Sequence, residues 1–308
     1  MATGQSQIIK FGLLWMLAIL TIHSCQKKVE KKEAWTIGLW PCNAMPPYSR
    51  NTGLDPAFSA LSTSEKKKTG LVLINVKTLQ TWQHPSWSQF GSFGPIASDE
   101  FGNSFIAPVP VINVLSNKPN EQNVIYKVNG QTAEMSKWVD LPFDSVSKDQ
   151  NPYGLVGLHY DCHGHVLFAS TLMGSDAMVE NGRIFIINTT DGEVLDELKN
   201  IDAIGIGVCG VSGEKRLYYG AARTSNIYSI EISKDNKFMG EARLEIEMDM
   251  LGPRGDDKAR KISFMKDGTM MVKGVAFDFN LTAPTEKLES TYLFDYDRGQ
   301  SKWIYRAM

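Results

Sequence analysis

The feature that most constrains this chain is an internal repeat. A short apolar strand followed by a polar turn recurs at residues 71–75, 124–128, 183–187, 226–230 and 291–295. Turn formers follow each copy: Lys77-Thr78, Asn129-Gly130, Asp191-Gly192, Lys234-Asp235-Asn236 and Arg298-Gly299. Asn-Gly and Asp-Gly favour the positive φ angles of a tight hairpin, and a further strand follows most of them. A second recurrence precedes four of these copies: a strand, an acidic or glycine-containing corner, and another strand. Residues 95–98 lead through Asp99-Glu100-Phe101-Gly102 to 104–106, and residues 155–160 through Asp161-Cys162-His163-Gly164 to 166–168. Residues 204–208 and 262–265 begin the remaining two pairs.

Four short antiparallel strands per unit, repeated along a chain, predict an all-β fold, a β-propeller. A blade buries both faces of its middle strands against its neighbours, so those strands read as nearly continuous apolar runs. The units fall at 35–87, 93–142, 153–200, 202–248 and 259–308. The first is irregular: 35–40 reads as a strand, but 41–50 is rich in Pro and turn formers. The repeat therefore allows five blades, or six with one assembled from the two termini. Outside the N-terminal segment no window of eleven or more residues has helical periodicity.

The string 154–198 carries a family resemblance. It contains "GLHYDCHGHVLFAS" and "NGRIFIINTTDGEVLDEL", and it resembles the NHL-repeat and senescence-marker-protein (gluconolactonase-like) class of propellers. Asp161, Gly164, Phe168, Ile184, Phe185, Ile187, Asn188 and Gly192 match that class's repeat. The match is close over this stretch and loose elsewhere. It implies the fold and says little of activity. Gluconolactonase-type members hold a divalent cation with Glu, Asn and Asp side chains from different blades. That set is not assignable here, and the early Glu motif has no counterpart near 35–40.

The N-terminus is the second informative region. Lys10 is the only charge before residue 26, and 11–22 is an apolar run of twelve residues. About 20 are needed to span a bilayer as a helix, so the run suits the core of an export signal. Ile22-His23-Ser24-Cys25 follows and resembles the lipobox of bacterial lipoproteins, although His23 departs from the pattern. The resemblance implies cleavage before Cys25 and its lipidation. The expected organisation is a signal peptide at 1–24, a charged tether at 25–34 and the propeller at 35–308. Gln26 resembles lipoproteins sorted to the outer membrane, so the cell envelope is the expected location and the membrane an expected partner.

Cys42, Cys162 and Cys209 show no paired CxxC spacing, which argues against structural zinc. They read as small buried side chains, with one disulfide as the alternative. The net charge of -2, with 21% charged residues, supplies no basic stripe, and nucleic acid is not an expected partner.

A rigid repeat with long loops at one rim places binding at that rim. The long segments there are 88–93, 109–123, 143–153, 173–182, 251–260 and 278–290. They contain the candidate ligand-binding residues Arg254, Asp256, Asp257 and Arg260, with Asp176 and Glu180. Arg223 lies at the same rim. Arginine offers planar recognition of carboxylate or phosphate, and Asp256 and Asp257 offer oxygen ligands to a cation such as calcium. His159, Asp161, His163 and His165 belong to a corner of the opposite rim and are not expected to hold a metal. No nucleophile elbow or phosphate cradle is present. The expected function is a membrane-anchored binding module for a small polar ligand or a protein, with no obligatory cofactor; the alternative is a metal-dependent hydrolase or lactonase.

Overall fold

The computed structural model describes residues 44–65, 68–109, 121–143, 153–211, 213–279 and 289–307. They belong to one unit, Trp35–Met308. Among the described residues nineteen strands form five antiparallel sheets arranged as the blades of a β-propeller. Blade 1 shows β1 (Ser59–Ser62), β2 (Val72–Asn75) and β3 (Thr81–Trp82). Blade 2 is β4 (Phe93–Ser98), β5 (Ser104–Pro108), β6 (Val124–Val128) and β7 (Met135–Asp140). Blade 3 is β8 (Leu155–Asp161), β9 (Val166–Thr171), β10 (Arg183–Asn188) and β11 (Val194–Lys199). Blade 4 is β12 (Ala203–Val211), β13 (Glu214–Ala221), β14 (Asn226–Ile232) and β15 (Phe238–Glu247). Blade 5 is β16 (Lys258–Phe264), β17 (Met270–Val275), β18 (Ser290–Asp297) and β19 (Lys302–Arg306). The repeat thus resolves to five blades. The strand expected at 35–40, the signal segment and Cys25 lie outside the described residues.

Within each four-stranded blade the strands pair in chain order, and β4, β8, β12 and β16 are successive inner strands. The middle strands divide their side chains by the two-residue period of a strand. On β9, Leu167 and Ala169 join Phe105, Ile125 and Tyr160 in the core between blades 2 and 3. Val166 and Phe168 join Ile206, Leu217 and Ile230 between blades 3 and 4. Phe168 and Phe185 are fully buried on opposite faces of blade 3, each contributing roughly 2–3 kcal/mol of burial. Every residue of β9 is buried, which is why these strands read as unbroken apolar runs.

Blade 4 approaches blade 5 unusually closely. A Cβ on Gly207 would lie 2.7 Å from the carbonyl oxygen of Ile262, and one on Gly205 or Gly220 would collide with the Ala259 carbonyl. Gly205 and Gly207 of β12 and Gly220 of β13 are therefore a packing requirement.

The corners also repeat. Asp99 accepts from the Phe101 and Asn103 amides at 2.9 and 2.8 Å, and Asp161 accepts from those of His163 and Gly164, both at 3.2 Å. Between third and fourth strands, the positive φ expected of the Asn-Gly and Asp-Gly turns is found at Gly192 but not at Gly130. Asn129 accepts from the Gln131 and Thr132 amides, the chain closes with Asn129 N–H to the Glu134 carbonyl at 2.9 Å, and the positive φ belongs to Ala133, not Gly130. Asn75 with Leu79, Asn188 with Gly192 and Asp297 with Ser301 repeat this arrangement. A side-chain acceptor at the strand end nucleates the turn, and the left-handed residue four positions later closes it.

The cysteines divide between the two readings. Cys209 is free and buried, whereas Cys162 is disulfide-bonded, its partner lying outside the described residues. Among the described residues no helix is long and apolar enough to cross a membrane.

Candidate functional site at the mouth of the propeller

The inner strands begin at the same rim where the second strands end, and a β-bulge marks that rim in all four four-stranded blades. Pairing jumps between Phe93 and Ile96, Leu155 and Gly157, Ala203 and Gly205, and Ala259 and Lys261. In blades 3, 4 and 5 the extra residue left out of the ladder is Val156, Ile204 and Arg260 respectively. Bulges re-aim a side chain and are common at strand ends beside functional sites.

Val156 and Ile204 share a small apolar cluster with Leu172, Ala222, Tyr153, Phe277 and Phe279. Tyr153 enters β8 of blade 3, and Phe277 and Phe279 leave β17 of blade 5, so the cluster spans blades 3 to 5. The Tyr153 and Phe277 ring centroids are 5.7 Å apart at 58°, and those of Phe277 and Phe279 are 5.4 Å apart at 73°. Together they form an aromatic corner of half-buried rings. Burial raises the Tyr153 phenol above its ordinary value, with Asp278 pushing the same way and Arg260 opposing. The phenol therefore remains a protonated donor at neutral pH, within the field of both charges.

Arg223 lies over Phe279, its guanidinium carbon 4.9 Å from the ring centroid. Its Nε donates to Asp202 Oδ2 at 2.8 Å, and its terminal nitrogens donate to the Ala177 carbonyl at 3.2 Å, the Asp176 carbonyl at 2.8 Å and the Val179 carbonyl. Glu180 stands 3.9 Å away and accepts from the Asp202 amide at 3.0 Å. Asp202 is buried, and it also accepts from Ser175 Oγ and from the Gly182 amide at 3.0 Å. Burial raises its carboxyl above the ordinary value, while Ser175 and Arg223 pull the other way. Asp176 accepts from the Met178 and Val179 amides at 2.7 and 2.8 Å, which hold its carboxyl below the ordinary value. Arg223, Asp176 and Glu180 are thus brought together as the fastening of loop 173–182.

A second fastening holds the loop between blades 4 and 5. Arg254 closes on Asp257 and donates to Ser290 Oγ at 3.0 Å and the Gly274 carbonyl at 3.3 Å. The Tyr292 hydroxyl donates to Asp257 at 2.6 Å. Burial raises the Asp257 carboxyl, but the bonds from Arg254, Tyr292 and Ser290 outweigh it and leave it below the ordinary value. Arg260 meets Glu289 at 3.2 Å in an exposed pair, and Asp256 is exposed. The sequence expectation did not include Tyr153, Phe277, Phe279, Asp202 or Tyr292. The first three border loops already singled out, and an aromatic next to a long rim loop is the signal that would have found them.

The histidines of the opposite corner do not converge. His159 Nε2 accepts from the Val208 amide at 3.3 Å, His165 meets Glu100 at 3.0 Å, and His163 is exposed. Asp161 is paired with Lys215. Among the described residues no three His, Cys, Asp or Glu side chains gather as a metal site.

No family model matches this sequence, and none of the curated proteins matches it. Solved structures share a distant likeness. An endo-arabinase from Bacteroides thetaiotaomicron matches at 13% identity over 68% of this chain and 78% of its own, with a TM-score of 0.41. Hydrazine synthase from Kuenenia stuttgartiensis matches at 9% identity over 83% and 82%, with a TM-score of 0.44. A glucose dehydrogenase matches at 14% identity over 77% and 78%, with a TM-score of 0.41. Likenesses at this level carry nothing about what this chain binds or turns over, and its β-propeller fold stands on its own strand pairing.

Proposed function

We propose that this protein is a lipid-anchored, extracytoplasmic propeller that binds a small polar ligand at the mouth where its inner strands begin. The observation that carries this reading is the bulge repeated at that rim. It takes Val156, Ile204 and Arg260 out of their ladders at corresponding positions, beside an aromatic corner built from blades 3 and 5. An apolar, aromatic concavity with a few convergent polar groups is the usual form of a ligand site. Arg223 and Arg254 fasten the loops beside this corner, which supplies the preorganisation that binding requires. The lipidated residue in this reading is Cys25, with 25–34 as the tether. The bonded Cys162 supports an oxidising, extracytoplasmic compartment.

The test is a thermal-shift panel of sugars, organic acids, amino acids and short peptides on the wild type, repeated with Tyr153→Ala and Arg260→Ala. Ligands that stabilise the wild type should lose their effect in both variants. A ligand that stabilises all three proteins equally would place binding elsewhere.

A further inference from the structure

We infer that the mouth takes a neutral, polyhydroxylated ring: a saccharide without acidic groups. The inference rests on the binding-module reading above and assigns its ligand class. Three features select it.

First, the three arginines at this rim carry their counter-charges with them, while the rim lysine Lys258 donates to Ser225 Oγ at 3.2 Å. Arg223 has Asp202 at 2.7 Å, Arg254 has Asp257, and Arg260 has Glu289 at 3.2 Å. At Arg223 and Arg254 a carboxylate or phosphate would have to displace a fully buried carboxylate, and at Arg260 it would meet the negative charges of Glu289 and of Asp278 beside Tyr153. Stranding such a buried charge costs several kcal/mol. A neutral ligand displaces none of them.

Second, the aromatic rings are set at steep angles, 58° and 73° between neighbours. A flat aromatic ligand would stack offset on one of these faces or meet it edge-on, and so lies face to face with one ring at a time. A corner of inclined faces instead matches a puckered ring that presents C–H groups in more than one direction.

Third, the polar groups at the corner come as donors beside acceptors. The exposed Arg260–Glu289 pair offers guanidinium N–H and carboxylate oxygen side by side, and Tyr153 adds a phenol. A hydroxyl both donates and accepts, so neighbouring hydroxyls of a sugar can use both members of that pair without separating them. Planar arginine adds directional fit.

The experiment is calorimetric titration of the full-length protein with neutral gluco-, xylo-, manno- and arabino-oligosaccharides and their monosaccharides. Oligogalacturonate, inorganic phosphate and a nucleoside serve as competing probes. A neutral saccharide should bind, with a Kd that changes less than about twofold between about 50 and 500 mM salt, because no net charge is neutralised. Phe277→Leu and Arg260→Ala should each weaken it by about tenfold, while Phe277→Tyr retains it; circular dichroism verifies the fold of each variant. Absence of binding by every neutral saccharide, or tighter binding of oligogalacturonate, phosphate or nucleoside, overturns the assignment. If one of those rivals binds and depends on Tyr153 and Arg260, the mouth is the site and only the ligand class falls. A saccharide that binds with indifference to Phe277 and Arg260 removes the mouth as the site.

Discussion

Arg254 and Asp257, three residues apart, meet fork to fork: Nε to Oδ1 at 2.5 Å and Nη2 to Oδ2 at 2.8 Å, with the carboxylate wholly shielded from water and the guanidinium partly exposed. Removing the arginine leaves a buried charge held only by the hydroxyl of Tyr292 and by Ser290. Arg254→Ala is therefore expected to cost about 3 kcal/mol, read as a lowered midpoint in urea. The double variant Arg254→Ala/Asp257→Ala should recover part of that loss. An unchanged midpoint in the single variant would mean that the pair does not fasten this loop.

Arg223 acts on the neighbouring loop by geometry as well as charge. Lysine keeps the charge but cannot reach Asp202 and the carbonyls of Asp176, Ala177 and Val179 together. Arg223→Lys should lower stability by about 1–2 kcal/mol. It should also open loop 173–182 to limited proteolysis near Met178, which is 90% exposed. Proteolysis at the wild-type rate would contradict this account.

The close approach of blades 4 and 5 predicts intolerance at β12. Gly207→Ala places a methyl group 2.7 Å from the Ile262 carbonyl, below any ordinary contact. Because the obstacle is backbone, the expected loss is about 2 kcal/mol, measured by thermal unfolding. A neutral or stabilising result would show that the two sheets can part without cost.

His159 supplies a pH dependence. Burial lowers its pKa from 6.5 to about 4, with Lys215 pushing the same way and Asp161 opposing; its Nε2 must also stay unprotonated to accept from Val208. The unfolded chain binds this proton near pH 6.5 and the native protein near pH 4, so its contribution is complete above 6.5 and lost as the pH falls toward 4. The change amounts to roughly 3 kcal/mol. His159→Gln, which does not titrate, should flatten the stability profile across this window. An equally steep profile in the variant would assign the effect to another group.

The blades were legible because their physics is local. Consecutive strands pair, so the runs at 124–128 and 183–187 and corners such as Asp161 to Gly164 announce themselves within a few residues of sequence. The turn at Asn129 was misread because its positive φ sits on Ala133, a residue with no such preference of its own; only the bonds from Asn129 impose it. The site was less legible for a related reason. Arg260 was nominated, but its distinction is a missing rung in the ladder between β16 and β17, a property of the pair of strands. Tyr153 and Phe277 meet across two blades, and Arg223 finds Asp202 through a fold no local window contains. The bonded state of Cys162 likewise depends on where a distant partner is carried.

The paired arginines also bear on how a ligand of the kind proposed would arrive. An unmatched cationic rim gathers anions from a distance and speeds their capture, an advantage that dissolved ions erase. Here Arg223, Arg254 and Arg260 are each met by an acid, so their far fields largely cancel. A ligand of the kind proposed would gain no long-range steering from these three arginines, and discrimination would begin only on contact.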